Sequence, residues 1–355
     1  MKKPLRTAFF LTGTVIGAGF ASGKELVSFF GAFGFWAIFL SALCGLLFVL
    51  GFRLFMRIGR RLEPDSAEEI NAALFGKFSL AADIFILLNF VIGSAAMLSA
   101  SGSLFDAVTK TDFAVPWFSL FTAAVVFVCV LTGMKGLVRI NAVIMPVLTA
   151  FLACAALASI FTGGGNGAVT QTSAVFAPGL WAAFTYAGMN FMQSFPVIAR
   201  AGVGLDDRAM KRGTAVGGAI LGALMVLIIF GVYAGGAGAA ASDLPLLVLA
   251  GGGGKVMFYL CALAVWLALG ASLLASVFSL SEGLRNYLKC RWLSVAAVLL
   301  VALTVSMLGF SAIVKYFFPA QGALGLAYIG FAARYEVKMR KRGTVGSVAV
   351  GPLQA

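Results

Sequence analysis

Ten stretches of this 355-residue chain are apolar for long enough to cross a lipid bilayer. A spanning helix needs about 20 mostly apolar residues. The sequence supplies such runs at 7–33, 35–58, 78–107, 115–133, 136–162, 178–199, 213–238, 254–285, 291–309 and 311–334. Within lipid a run of this length satisfies its backbone polar groups as a helix. The composition agrees: 61% of residues are hydrophobic and 11% charged, whereas a soluble domain carries about 25% charge. Soluble, disordered, nucleic-acid-binding and disulfide-scaffold folds are thereby excluded. A shorter apolar piece, Leu244 to Ala250, cannot span and is expected in the membrane interface.

The net charge of +13 points to loops facing the cytoplasm, not to nucleic acid. With both termini inside, 22 of the 26 Lys and Arg residues fall on the cytoplasmic side and three on the outer side, with Lys24 inside a span. The chain is therefore expected to be a multi-pass protein of the cytoplasmic (inner) membrane, in contact with lipid and without nucleic-acid partners. The start, Met1-Lys2-Lys3-Pro4-Leu5-Arg6, imitates a secretory leader. Because the apolar run continues past Lys24 and Glu25, it is expected to stay as the first span. A single transporter domain is expected over 1–343, with a short disordered cytoplasmic tail at 344–355. In the longest hydrophilic loop, Ser66 followed by Glu69 has the spacing of a helix N-cap. The five cysteines, in or beside apolar stretches, are expected to be buried thiols.

Histidine is absent, which removes Ser-His catalysis and imidazole metal ligands. Asp83 has no acidic partner in another helix core, so aspartyl proteolysis is excluded as well. The chain is not expected to be an enzyme or to hold a cofactor.

Two spans carry interruptions. The first contains Gly13, Gly17, Gly19 and Gly23, followed at once by Lys24 and Glu25. Each glycine costs a helix interior about 1 kcal/mol relative to alanine, and a break is expected at Gly17–Gly19. The sixth turns small and polar after Tyr186, at Gly188, Asn190, Gln193 and Ser194, with Pro196 beyond. The first and sixth of ten are each the first of five. Inverted-repeat transporters place interrupted helices at such corresponding positions, and the exposed backbone ends hold solute at the midplane. The expected fold is thus all-α, ten helices in a 5+5 inverted repeat (7–162 and 178–335), with spans one and six broken. Freed amides suit an anionic group and freed carbonyls a cation, so a zwitterion fits both.

The run Gly13-Thr14-Val15-Ile16-Gly17-Ala18-Gly19-Phe20-Ala21-Ser22-Gly23-Lys24-Glu25, with this topology, resembles the YkvI-type amino acid permeases. These belong to the amino acid–polyamine–organocation superfamily with the leucine-transporter-type fold. The resemblance covers the whole chain and implies a secondary active transporter for a small solute, an amino acid, coupled to Na+ or H+. It implies that the amides of Ala18 and Gly19 hold a carboxylate, and that the carbonyls of Val15, Phe184 and Thr185 hold an amine. Gly17, Phe20, Tyr186, Gly188 and Asn190 complete the implied substrate set. A sodium site is implied at Gly13, Ile16, Ala268 and Ser272, weakened by Ala271 where a hydroxyl residue is expected. Phe20 stands where a first sodium site would need a polar residue. Lys24 and Glu25 are the candidates for coupling or gating. A channel and a non-transporting sensor on the same fold are the alternatives.

Overall fold

The computed structural model describes residues 3–64, 66–111, 115–132 and 176–348, with isolated positions between 150 and 157. The helices are α1 (Lys3–Val15), α2 (Ala18–Ser22), α3 (Lys24–Phe30), α4 (Trp36–Leu62), α5 (Ala67–Phe75), α6 (Ser79–Thr109) and α7 (Val115–Thr132). They continue with α8 (Phe176–Gly202), α9 (Asp207–Ala241), α10 (Pro245–Gly251), α11 (Lys255–Leu288), α12 (Arg291–Ser306) and α13 (Phe318–Val348). A turn at Phe310–Ala312 and a π-turn at Ile313–Phe317 lead into α13.

Among the described residues, four helical runs are long and apolar enough to cross a membrane alone: Trp36–Leu62, Ala67–Thr109, Asp207–Gly236 and Lys255–Ser281. A fifth is the pair Arg291–Ser306 and Phe310–Lys341, bent by 88°. The expected fifth span, 136–162, falls almost wholly outside the described residues, as does the glycine-rich loop at 163–167. α13 continues to Val348, into the stretch expected to be a disordered tail; nothing between Thr344 and Val348 is a proline that would stop it.

Small residues let the helices cross closely, as is usual where lipid offers no hydrophobic drive for association. A Cβ at Gly45 of α4 would lie 2.9 Å from the Cα of Gly222 in α9. Cβ atoms at Gly59 and Gly202 would overlap the backbone of the facing helix, joining α4 to α8. Aromatic rings fill the seam of α4, α8 and α13. Phe48 and Phe52 stack at 5.9 Å, Phe55 meets Phe195 at 5.9 Å, and Phe195 meets Tyr328 at 4.5 Å. Trp36, Trp117, Trp181 and Trp292 are exposed, as rings at a membrane boundary are.

Cys44 and Cys261 are buried, but Cys129 and Cys154 are exposed, so the expectation of buried thiols holds for only part of the set. An exposed thiol costs little where the surrounding surface is apolar.

The two ends of the bundle differ in chemistry. At one end, Arg60 pairs with Asp207, and Arg61 and Arg340 pair with Glu336. Ser66 caps α5 there, accepting from the amide of Glu69 at 3.3 Å, as its spacing predicts. Asn71 of α5 donates to Asp83 of α6 and accepts from the Tyr328 hydroxyl at 2.8 Å. Asp83 is therefore half-buried in a three-element clasp. The opposite end carries Lys24, α10 and the π-turn. Five of the seven residues of α10 are buried, so it lies within the protein.

Candidate functional site

The first span breaks twice. Gly17 is extended (φ −103°, ψ −165°), and its amide turns back to the carbonyl of Val15 at 2.8 Å. In an uninterrupted helix it would bond the carbonyl of Gly13. At the start of α2 the amides of Ala18, Gly19 and Phe20 have no intrahelical carbonyl to bond, as at any helix start. Gly23 then adopts the left-handed conformation (φ 80°, ψ −9°), which glycine reaches without steric cost, and starts α3 in a new direction. Its Cα packs on α10; a Cβ would lie 3.2 Å from Leu246.

α3 directs its first two side chains to different places. Both Lys24 and Glu25 are buried, with 9% and 7% of their surface exposed. Glu25 folds back onto α2, filling the space that the missing side chain of Gly19 leaves; a Cβ at Gly19 would overlap its carboxylate. The Tyr186 hydroxyl of α8 interacts with Glu25, without a hydrogen bond of good geometry. Rings of Phe29 and Phe30 from α3 and Phe48 from α4 pack edge-on to Tyr186 at 5.2, 5.4 and 6.3 Å. No ion pair reaches Glu25 among the described residues, because Lys24 points elsewhere.

Lys24 Nζ donates to the carbonyl of Ser242 at 2.8 Å and lies 3.7 Å from Asp243 Oδ1. Asp243 also accepts from Ser103 of α6 at 3.1 Å and from Ser311 beside the π-turn. One carboxylate thus ties the first span, α6, the α9–α10 connection and the approach to α13 at the Lys24 end. Sequence reasoning missed Asp243, Ser103 and Ser311. The available signal was Lys24 itself, a cation inside an apolar run that needed an acid from elsewhere.

The hydroxyl of Ser272 in α11 lies 4.0 Å from where a Cβ of Gly17 would stand, so the structure brings Ser272 to the first break. Ile16, Phe20 and Ala268 are buried in the same core. Val15 is buried, and its carbonyl is engaged by Gly17.

The stretch expected as a broken sixth span departs from that expectation: α8 runs unbroken from Phe176 to Gly202. Its polar side chains bond their own helix. Thr185 Oγ1 donates to the carbonyl of Trp181 at 2.8 Å, Asn190 Nδ2 to Tyr186 at 2.9 Å and Ser194 Oγ to Asn190 at 2.6 Å. Gly188 faces α13, where a Cβ would overlap the carbonyl of Gly322, and the carbonyl of Thr185 faces Gly322 in turn. Phe184 is 41% exposed. Phe184, Thr185 and Gly188 are therefore not gathered at the first break; Tyr186 is the residue of α8 that reaches Glu25.

Other buried polar side chains lack hydrogen-bond partners among the described residues: Asn89 and Ser94 of α6 and Gln321 of α13. Asn89 and Gly93 share a face one turn apart, and nothing lies within 4 Å of a Cβ built at Gly93. Such unpaired groups in a membrane interior mark cavities or solute paths. Asn89 and Gln321 were not singled out in the sequence, where each is one amide in a long apolar run.

No family model matches the chain. It is 27% identical over 343 residues to the uncharacterized membrane protein YkvI of Bacillus subtilis (strain 168), covering 91% of this chain and 93% of that protein. It is 24% identical over 320 residues to YyaD of the same organism, covering 89% and 92%. Among solved structures it resembles the inward-facing conformation of Mhp1 (TM-score 0.65, 16% identity, 94% of this chain and 75% of that chain). It also resembles MhsT in complex with L-phenylalanine (TM-score 0.58, 14% identity, 93% and 91%). A mutant of the Eremococcus coleocola manganese transporter is similar as well (TM-score 0.62, 15% identity, 91% and 77%). The chain is similar to YkvI over nearly its whole length and has the leucine-transporter-type fold of these structures.

Proposed function

We propose that the chain is a secondary active transporter that moves a small amine-bearing solute, an amino acid first of all, by alternating access around the break in its first span. It works in the cytoplasmic membrane with ten spans in a 5+5 repeat and both termini inside. The observation that carries this reading is Glu25, a buried carboxylate without a cationic partner among the described residues, folded onto Gly19 between α2 and α8. An unpaired charge in the membrane interior is costly and is retained where a proton or a cation visits it. The solute carboxylate is assigned to the amides of Ala18 and Gly19, and its amine to Glu25 and the hydroxyl of Tyr186. MhsT, similar in fold, forms a complex with L-phenylalanine, which supports an amino acid as the first class to test.

Glu25 favours protons as the coupling ion: protonated, it is neutral, its carbonyl oxygen still accepts from the solute amine, and proton and solute cross together and leave together. A sodium reading is favoured by Ser272, beside Gly17. The test is uptake of a labelled amino-acid mixture into proteoliposomes, driven by a pH gradient or by a sodium gradient. Uphill uptake under the pH gradient is expected, with loss on adding a protonophore. Uptake driven by sodium alone assigns coupling to the Ser272 site. Downhill flux that no gradient energises would indicate a channel, and binding without flux a sensor.

A further inference from the structure

Arg53, Arg57 and Arg60 follow one another on α4 at helical spacing, so they lie along one face near its end. Around them are two concavities that the transport reading does not use. A polar cavity of about 300 Å³ is lined by Arg57, Arg60, Arg61, Glu336 and Arg340. Since a water occupies about 30 Å³ of liquid, it has room for a phosphate group with part of its ester. Glu336, 4% exposed, accepts from Nε of Arg340 at 2.8 Å and is ion-paired with Nε of Arg61 at 3.1 Å. Arg60 is held by Asp207 and by the carbonyl of Leu205 at 3.4 Å. Among the described residues, two carboxylates against four guanidiniums leave a positive surplus, with Arg60, Arg61 and Arg340 held in ion pairs.

The second concavity is an apolar groove of about 920 Å³ between α4 and α9, with Leu46, Val49, Ala219, Ala223 and Phe230 among its walls. Arg53 closes it at the arginine end, reaching across to α9 through Thr214 Oγ1 at 3.1 Å and the carbonyl of Lys211 at 3.3 Å. One helical turn beyond Arg53 stands Arg57, which lines the polar cavity.

We infer that the groove and the arginine cavity together form a binding site for one anionic phospholipid, the phosphate among Arg57, Arg60, Arg61 and Arg340 and an acyl chain along α4 and α9. Charge complementarity selects an anionic headgroup, as for other basic pockets between membrane helices. The groove distinguishes a lipid from free phosphate, which has no apolar part to bury.

The test is native mass spectrometry and thermal unfolding of the full-length protein in detergent, with dioleoyl-phosphatidylglycerol, dioleoyl-phosphatidylcholine or inorganic phosphate added. Phosphatidylglycerol is expected to stay bound and raise the melting temperature more than either alternative. Arg57→Gln with Arg340→Gln should weaken its retention about 30-fold, taking the contribution of a basic residue near an anionic surface for each. Arg57→Gln alone, expected to lose about fivefold, serves if the double variant does not fold. Ala219→Phe, which narrows the groove, should lower lipid retention without altering the response to phosphate. Equal retention of the two lipids would overturn the inference. So would inorganic phosphate protecting as well as phosphatidylglycerol, meaning an adventitious anion only, or wild-type retention in Arg57→Gln.

Discussion

The stretches expected as the first and sixth spans have similar compositions at the points where they were expected to break, yet one breaks twice and the other not at all. Both carry glycine near mid-membrane, so glycine alone does not decide. In the first span Gly17 has no neighbour closer than 4.0 Å to a Cβ position, and its helical bond is given up. In the sixth, Gly188 is pressed against the backbone of α13, where close approach of two helices is its use. The polar residues differ too. Ser22 bonds back to Gly19 beside the second break, whereas Thr185, Asn190 and Ser194 bond back to carbonyls within an uninterrupted α8. A mid-membrane polar side chain is thus no sign of a broken helix when its own helix supplies a carbonyl.

This contrast can be broken by substitution. The largest effect is expected at the packed glycine. Gly188→Val places atoms into the backbone of α13 and should cost about 1–3 kcal/mol, the usual range for overpacking. The loss should be visible as a lower melting temperature in detergent. Gly17→Ala has space and a backbone any residue can adopt, so its melting temperature should stay near wild type while uptake falls. If Gly17→Ala unfolds and Gly188→Val does not, the roles of the two glycines are reversed.

Glu25→Gln separates charge from shape. It keeps the packing on Gly19 and should reduce gradient-driven accumulation about tenfold for each pH unit of gradient, since one unit corresponds to about 1.4 kcal/mol. Exchange of labelled for unlabelled solute, which needs no net proton movement, should be less affected. A Gln variant that still accumulates solute would remove Glu25 from the coupling.

Smaller effects follow at the Lys24 end. Lys24→Met leaves the carbonyl of Ser242 and Asp243 without their cation. Asp243→Asn keeps an oxygen acceptor for one of Ser103 and Ser311, and the hydroxyl of the other can accept from its amide, so it should be milder. Each is expected to cost no more than about 1 kcal/mol of interaction, given the long, partly exposed ion pair. Labelling of a cysteine at Ala100, buried about one turn from Ser103 on α6, should rise more in Lys24→Met than in Asp243→Asn. The smallest effect belongs to the sixth span. Thr185→Ala removes a bond to its own helix and should change stability and uptake by about 1 kcal/mol or less.

How much of this was legible follows from the range of each interaction. The break at Gly17 and the cap at Ser66 are set by residues within four positions, and both are visible in sequence. Leu244 to Ala250 was rightly too short to span, but its burial beneath the Lys24 end depends on Gly23, more than two hundred residues away. The left-handed Gly236 that interrupts α9 sits among other glycines in a row and carries no mark of its own. Gly45 reads as an ordinary helix glycine, yet it touches α9, so enlarging it would disturb packing. Asp243 gains its meaning only when four separate elements converge.

The central claim is that the solute is held at the break of the first span and not along an intact sixth. Hydrogen–deuterium exchange of the reconstituted protein, with and without a saturating amino-acid mixture, tests it most directly. Amides at 18–20 should exchange much faster than those at 182–194 in the absence of solute, because the start of α2 leaves them unbonded. Adding the mixture should slow the first segment and leave the second unchanged. Equal protection of both segments without solute, or slowing confined to 182–194, would contradict the account.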